Sequence, residues 1–183
     1  MPVLVVDNLS PFTPDILACF GKLGVPYVYK KFSEMSDSDL ARCDKVILSG
    51  RRRNCKEINA ANSKIIRQCH NGGKPLLGIC YGAEIIALTL GGSIRKMPSH
   101  VLGTTPVSVS RPNLLTEAKK SISVYESHGY CVARLPANFK SLASSQYCEH
   151  EIFNSGKIYG TQFHPEKSGS DGLALLQNFS AKL

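Results

Sequence analysis

The hydrophobic positions of this chain fall into two kinds of segment that alternate along the sequence. Short, largely apolar runs such as Val3–Asp7 and Lys45–Leu48 predict buried strands of a parallel sheet. Longer segments with apolar residues three and four positions apart, such as residues 57–69 and Gly169–Lys182, predict helices. Because strands and helices alternate, the pattern predicts an α/β fold with a mainly parallel central sheet flanked by helices.

The remaining elements follow from shorter signals. Further strands are predicted at residues 26–29, 75–79, 149–153 and 157–162, and further helices at 13–23, 36–42 and 81–90. Three short β-branched segments, residues 93–95, 104–109 and 121–124, predict a small antiparallel patch. No linker or internal repeat interrupts the chain, so we expect residues 1–183 to form a single domain.

Composition narrows the class of protein. The net charge is +8, but no helix-turn-helix, zinc spacing or RNA-binding aromatic signature accompanies it, so we expect no nucleic-acid partner. No apolar run approaches membrane-spanning length and no basic segment precedes the first strand, so we expect neither a membrane span nor a signal peptide. The 7 cysteines include no Cys-x-x-Cys pair, which argues against a disulfide framework or a metal site and favours a reducing cytoplasm.

One cysteine, Cys80, stands at a position that favours a reactive thiol. Cys80 lies between a predicted strand and a predicted helix, with Gly78 before it and Gly82 after it. This Gly-x-Cys-x-Gly pattern is a cysteine version of the nucleophile elbow, a sharp turn that exposes the side chain above the sheet. A thiol at a helix N-terminus also feels the positive end of the helix dipole, which favours the reactive thiolate. Cys80 is therefore a candidate nucleophile.

A second motif supplies the partners that a cysteine nucleophile needs. His164-Pro165-Glu166 follows a predicted strand directly, and Pro165 ends that strand. Histidine is the usual base for a cysteine nucleophile, and a carboxylate can orient it. We therefore predict a catalytic triad of Cys80, His164 and Glu166.

The two motifs, GICYGAE and GTQFHPEKS, resemble those of the class I (triad) glutamine amidotransferases. The resemblance implies a flavodoxin-like α/β fold. It also implies hydrolysis of L-glutamine to glutamate and ammonia, a half-reaction that needs no cofactor. In this family the ammonia passes to a synthase.

The resemblance also assigns further site residues. It implies that the backbone N–H of Tyr81, together with one from Gly50 or Arg51, holds the oxyanion. The family's Ser-His segment near the active site corresponds to residues 126–130, ESHGY, so His128, Gly129 and Tyr130 are candidate substrate-site residues. A structural role for His128, bonding a loop carbonyl, is the alternative.

The sequence departs from the family pattern at two places. Arg51, Arg52 and Arg53 stand where the family has Gly-Pro after Ser49-Gly50, and arginine tolerates a positive φ poorly. The triplet is either a docking loop or a solvated basic loop. Glu84 replaces a glutamine that faces the substrate in the family, and a carboxylate can donate a hydrogen bond only when it is protonated.

The segments S-H-G and L-P-x-x-F-x-x-L-A-S are most similar to the glutaminase part of GMP synthetases. The partner that this implies is a separate ATP-dependent synthase subunit, namely the ATP-pyrophosphatase subunit of GMP synthetase. The alternatives are the glutaminase subunit of anthranilate or aminodeoxychorismate synthase, a catalytically degenerate regulatory or binding subunit, and a cysteine hydrolase of γ-glutamyl compounds.

Overall fold

The computed structural model describes residues 2–183, which form one 9-stranded mixed sheet with helices on both faces. The strands are β1 (Val3–Asp7), β2 (Tyr27–Lys31), β3 (Lys45–Leu48), β4 (Leu76–Ile79), β5 (Ser93–Val109), β6 (Ser121–Arg134), β7 (Lys140–Ser144), β8 (Ile152–Ser155) and β9 (Ile158–Thr161). The helices are α1 (Thr13–Leu23), α2 (Asp37–Ala41), α3 (Lys56–Gly72), α4 (Tyr81–Thr89) and α5 (Gly169–Lys182). The predicted α/β fold class is confirmed.

The sheet has a parallel half and an antiparallel half. Its strand order is β2-β1-β3-β4-β9-β8-β7-β5-β6, and the first five strands of this order are parallel. The order reverses between β1 and β3, because β2 lies on one side of β1 and the later strands lie on the other. Open α/β sheets place their sites at such a switch point, beyond the carboxyl ends of the strands.

The antiparallel half is larger than the sequence predicts. The predicted short strands 93–95 and 104–109 are parts of β5, which runs on to pair with β6 along most of its length. An irregularity in the register between Lys96 and Val101 carries β5 past the polar residues that separate the predicted strands. Such a bulge lets a strand continue where its local pattern is interrupted. The patch is therefore continuous with the central sheet.

Two hydrophobic cores cover the two faces of the sheet. In β1, Val3 and Val5 pack in the core that includes Ile16 of α1 and Leu176 of α5. The alternate residue Leu4 packs in the opposite core, with side chains of α3 and α4. Successive side chains of a strand point to opposite faces, so a strand covered on both faces must be apolar throughout. This explains the unbroken apolar run at the start of the chain.

The ends of two helices show how the sequence sets element boundaries. Ser36 caps α2 in a reciprocal capping box with Asp39. Phe12 is the N-cap of α1, and the Thr13 hydroxyl donates to Asp7 Oδ1 at 2.7 Å. Gly24 ends α1 in the left-handed conformation, with φ of 63°. Within residues 2–183, no helix is both long and apolar enough to cross a membrane.

Candidate active site

The backbone at Cys80 adopts the strained turn that its motif predicts. Cys80 lies between β4 and α4 with φ of 51° and ψ of −106°, a conformation that costs a non-glycine residue about 1–3 kcal/mol. Its N–H donates to the carbonyl oxygen of Thr161 at the end of β9, at 2.8 Å. This bond ties the elbow to the strand that leads to His164.

The two glycines beside Cys80 are required by close packing. A Cβ atom on Gly78 would lie 2.4 Å from the backbone of Gly82, and a Cβ atom on Gly82 would lie 2.4 Å from the carbonyl oxygen of Leu48. Both distances are shorter than any tolerable contact, so β3, β4 and the first turn of α4 approach one another only because these side chains are absent. The Gly-x-Cys-x-Gly spacing is thus a steric condition for placing Cys80.

His164 is held from three directions. Its Nδ1 atom lies 2.8 Å from Glu166 Oε1, and both side chains are almost completely buried. Its backbone N–H donates to Tyr125 of β6 at 2.9 Å, and its carbonyl oxygen accepts from the Ser168 hydroxyl at 2.6 Å. The ring of Phe12 packs edge-on against the imidazole, with the ring centroids 4.8 Å apart. These contacts fix the orientation of the imidazole ring.

The structure brings Cys80, His164 and Gly50 together. A Cβ atom on Gly50 would lie 3.2 Å from His164 Cε1 and 3.8 Å from Cys80 Cβ, so this backbone runs directly beside both side chains. The two side chains also act on each other electrostatically, since His164 lowers the pKa of the Cys80 thiol and Cys80 raises the pKa of the imidazole. The three residues predicted as a triad therefore lie in one connected group, with Glu166 behind His164.

Burial governs the electrostatics of this group. Burial raises the pKa of the Cys80 thiol, although His164 and the Tyr81 backbone N–H act in the opposite direction. The expectation that the helix N-terminus alone favours a thiolate leaves out this larger effect. For His164, burial by itself lowers the pKa, but the interactions with Cys80 and Glu166 outweigh it and raise the pKa to about 11. The imidazole can therefore hold the proton that leaves the thiol, with the Glu166 carboxylate on its other side.

The arginine loop avoids the positive φ that arginine tolerates poorly. Neither Gly50 nor Arg51 has a positive φ, so Arg51 occupies its position without that strain. Its guanidinium donates to Asn59 Oδ1 of α3 at 2.7 Å and lies over the Tyr81 ring, 3.8 Å from the centroid. Arg51 is thus fastened to the helices, whereas Arg52 and Arg53 are exposed.

A cavity of about 250 Å³ opens beside the thiol. Its lining residues are Arg51, Arg52, Arg53, Asn54, Cys80, Tyr81, Glu84, His100, Ser127, His128, Gly129 and Tyr130. All the site residues predicted from the sequence lie in this lining or in the triad, apart from Gly50. The Gly50 backbone adjoins the side chains of Cys80 and His164. The cavity thus combines guanidinium groups, a carboxyl group and the thiol.

Glu84 lies on the first turn of α4 and is almost completely buried. Its Oε1 atom accepts a hydrogen bond from Gln162 Nε2 at 3.2 Å. Burial raises the pKa of this carboxyl group, although Gln162, His128 and Arg51 act in the opposite direction. A raised pKa favours the protonated form, which can donate a hydrogen bond as the amide of a glutamine does.

The segment around His128 forms one wall of the cavity through its backbone. The carbonyl oxygen of Ser127 lies 3.9 Å from Cys80 Sγ. His128 itself is buried, with Nδ1 2.7 Å from the carbonyl oxygen of Tyr130 and Nε2 3.0 Å from Glu126 Oε2. These contacts match the structural role that the sequence left open for His128, while Tyr130 is 46% exposed at the mouth.

Sequence reasoning missed several residues that shape the site. Asn59 accepts from both Arg51 and the Tyr81 hydroxyl, and Gln162 pairs with Glu84. Asp7 ends β1 as predicted, but its carboxylate accepts from the backbone N–H groups of Leu9 and Ser10 and so organises a turn. The roles of Asn59 and Gln162 depend on contacts with other elements, which no local sequence pattern signals.

Comparison with known proteins agrees with this geometry. The family model of glutamine amidotransferase class-I matches residues 4–183, and the chain therefore belongs to the class I glutamine amidotransferase family. A similar protein is the glutamine-hydrolyzing GMP synthase subunit of Thermoplasma acidophilum, which is 32% identical over 98% of this chain and 91% of its own length. The GMP synthase of Borreliella burgdorferi is also 32% identical, but the chain spans only 36% of the length of that relative.

Solved structures show the same architecture. The crystal structure of a GMP synthase subunit from T. acidophilum superposes with a TM-score of 0.86 at 32% identity, over 98% of this chain and 92% of that one. A glutamine amidotransferase from Thermotoga maritima gives a TM-score of 0.78 at 23% identity, over 91% of this chain and 76% of that one, and shows the likeness of fold alone.

The steric condition at the elbow gives the first prediction. Gly82→Ala places a methyl group against the Leu48 carbonyl, and we expect it to lower the free energy of unfolding by about 1–3 kcal/mol because a packed backbone must move. Gly72→Ala is the matched control, since a Cβ atom there meets nothing within 4 Å. Urea unfolding of both variants measures the difference. Equal stability of the two would contradict the steric account.

Proposed function

We propose that this protein hydrolyses the side-chain amide of L-glutamine to glutamate and ammonia through Cys80, His164 and Glu166. The observation that carries the proposal is the strained Cys80 at the elbow, which lies with His164 beside the Gly50 backbone while Glu166 Oε1 orients the imidazole at 2.8 Å. A nucleophile, a base and an orienting carboxylate in this order form a cysteine triad. Membership of the class I glutamine amidotransferase family supports the same reaction.

The chemistry follows from the protons that the site holds. The Cys80 sulfur attacks the carboxamide carbon of glutamine, and the thiol proton resides on His164. The carbon–nitrogen bond then breaks, His164 gives its proton to the leaving nitrogen, and ammonia departs from a glutamyl thioester. Water attacks the thioester with His164 as the base, which yields glutamate and restores the thiol. This half-reaction needs no cofactor.

Backbone donors beside the thiol suit the developing oxyanion. Tyr81 opens α4, and its backbone N–H lowers the pKa of the adjacent Cys80 thiol. We assign the oxyanion hole to this N–H together with one from Gly50 or Arg51, whose backbone adjoins the triad. Glu84 and the 127–130 wall would bind the rest of glutamine, with Glu84 acting as a hydrogen-bond donor when it is protonated.

We further propose that the ammonia passes to a separate ATP-dependent synthase subunit, the ATP-pyrophosphatase subunit of GMP synthetase. The likeness to the glutamine-hydrolyzing T. acidophilum protein over 91% of its length supports a single glutaminase domain over residues 1–183. Anthranilate and aminodeoxychorismate synthase remain the runner-up partners. All 7 cysteines are free thiols, which supports a cytoplasmic location.

The second prediction concerns the nucleophile. Because the thiol of Cys80 is buried with a raised pKa, a general thiol reagent should prefer the more accessible Cys55. An electrophile that mimics glutamine should instead label Cys80 first, since it binds in the cavity. Cys80→Ala should abolish glutamate release with the fold intact, whereas the control Cys55→Ala should keep it. Activity that survives in Cys80→Ala would show that Cys80 is not the nucleophile. A wild-type protein that stays inactive with every candidate synthase would favour a degenerate subunit.

The third prediction concerns the orienting carboxylate. Glu166→Gln should reduce turnover about a hundredfold less than Cys80→Ala or His164→Ala, because an orienting residue carries no proton. It should also lower the pKa of His164, since the Glu166 hydrogen bond helps to raise it. Imidazole NMR signals followed against pH measure this shift. An unchanged His164 titration in Glu166→Gln would show that Glu166 does not act on the imidazole.

The fourth prediction concerns the partner surface. Arg52 and Arg53 are exposed at the mouth of the cavity, so they are placed to meet an acidic surface of the synthase. Arg53→Glu should raise severalfold the synthase concentration that gives half-maximal stimulation of glutamate release, and should reduce its salt dependence. Arg67→Glu, an exposed change on α3, is the control. The same response in both variants would mean that only net charge matters.

A further inference from the structure

Two buried glutamates lie behind the active-site wall and take no part in the proposed chemistry. Glu126 in β6 and Glu151, just before β8, each have 0% exposure. In the described part of the chain, neither forms an ion pair with a lysine or arginine. A buried carboxylate without a cation is costly, so the protonation of this pair needs a physical explanation.

The hydrogen bonds of Glu151 leave one of its oxygens without a donor. Its Oε1 atom accepts from the Ser145 hydroxyl at 2.6 Å. That hydroxyl oxygen in turn accepts from the N–H groups of Tyr147 and Cys148 at 3.0 and 3.1 Å, so its single proton is directed to Glu151. Glu151 Oε2 is fully buried and receives no hydrogen bond from a fixed donor.

The hydrogen bonds of Glu126 likewise leave one of its oxygens without a donor. Its Oε2 atom lies 3.0 Å from His128 Nε2. On the other side of the ring, His128 Nδ1 lies 2.7 Å from the Tyr130 carbonyl oxygen and must donate, because a carbonyl only accepts. The contact between His128 Nε2 and Glu126 Oε2 therefore contains a further proton of its own, since two acceptors do not form a hydrogen bond. Glu126 Oε1 is fully buried and receives no hydrogen bond from a fixed donor either.

The two unpaired oxygens belong to carboxyl groups that interact directly with each other. Two buried carboxylates that face each other disfavour each other's charge, whereas one proton turns either group into a hydrogen-bond donor toward the other. We infer that Glu151 and Glu126 share one proton, and that this hydrogen-bonded pair positions the 127–130 wall of the active site. The second part of the inference rests on the proposed function.

The positioning follows from the chain of contacts. The shared proton joins Glu151 to Glu126, Glu126 holds His128, and His128 holds the Tyr130 carbonyl. Ser127 lies between Glu126 and His128, and its carbonyl oxygen is the one that approaches Cys80 Sγ at 3.9 Å. Glu126 and Glu151 are therefore positioning residues, which touch the wall and not the substrate.

Other titratable groups around the pair do not supply a counter-charge to Glu151. These groups are His128 and Cys131 of β6 and Cys148 of the β7–β8 connection. The nearby guanidinium of Arg95 in β5 acts on Cys131 and donates to the Tyr147 carbonyl oxygen. Burial first, and then the charge of Glu126, raise the pKa of Glu151 to about 9. Since the ordinary value for glutamate is lower, folding binds a proton over the range between the two values, and stability falls as the pH rises through that range.

The fifth prediction compares Glu151→Gln with wild-type protein. The glutamine amide donates permanently to Glu126 and its carbonyl accepts from Ser145, so the pair stays bonded without a titrating proton. From about pH 5 to about pH 9, the melting temperature of wild type should fall relative to Glu151→Gln by several degrees. Glu149→Gln is the matched control, because Glu149 is exposed two residues away. If the melting temperature of Glu151→Gln depended on pH as that of wild type does, the inference of a shared proton would be wrong.

Infrared spectroscopy tests the proton without altering either glutamate. The measurement uses the Glu84→Gln variant, because Glu84 is another buried carboxyl group with a raised pKa. In this variant, the C=O band of a protonated carboxyl group should be present at neutral pH and should vanish above about pH 10. No such band at neutral pH would overturn the inference even if Glu151→Gln failed to fold.

Activity measurements separate this inference from the proposed function. Wild type should lose glutamate release at alkaline pH more steeply than Glu151→Gln, which keeps the wall in place. Equal alkaline loss in the two, with the difference in melting present, would overturn the positioning role alone. If neither protein released glutamate while the melting and infrared results held, the shared proton would stand and the proposed glutaminase function would fail.

Discussion

The site depends on how closely the backbone of α4 approaches the carboxyl end of β3. Gly82 packs so tightly against the Leu48 carbonyl that a single methyl group does not fit between them. This approach places Cys80 at a positive φ, beside the Gly50 backbone and next to His164. The strain at Cys80, about 1–3 kcal/mol, is offset by the surrounding bonds and packing, including the bond from its N–H to Thr161. Strained residues of this kind persist only where their surroundings over-determine them.

Buried polar contacts behind Cys80 and His164 also support the site. Glu166 orients His164 from behind, and Gln162 pairs with Glu84 under the cavity floor. Burial raises the pKa values of the Glu84 carboxyl group and of the Cys80 thiol, so protonation and geometry are coupled at both residues. We therefore expect chemistry at Cys80 to depend also on Glu166 and Gln162, which lie outside the lining of the cavity.

The sequence predicts those parts of the molecule that local patterns determine. The elbow at Cys80 and the His164–Glu166 pair carry dense local signals, and the parallel strands are marked by short apolar runs. The extent of β5 could not be predicted, because it depends on pairing with β6 across a register irregularity. The placement of Arg51 on Asn59, and the contact of Glu126 with Glu151, join residues far apart in sequence without a periodic signal.

The central claim is that Cys80 forms a covalent bond with the glutamyl group. Acid quenching during turnover of glutamine, in the presence of the synthase, followed by mass spectrometry of the digested protein, tests it directly. The account predicts a glutamyl adduct on the peptide that contains Cys80, and a stronger signal in Glu166→Gln if hydrolysis of the thioester slows more than its formation. Glutamate release with no adduct on that peptide, or with an adduct on another cysteine, would contradict the account.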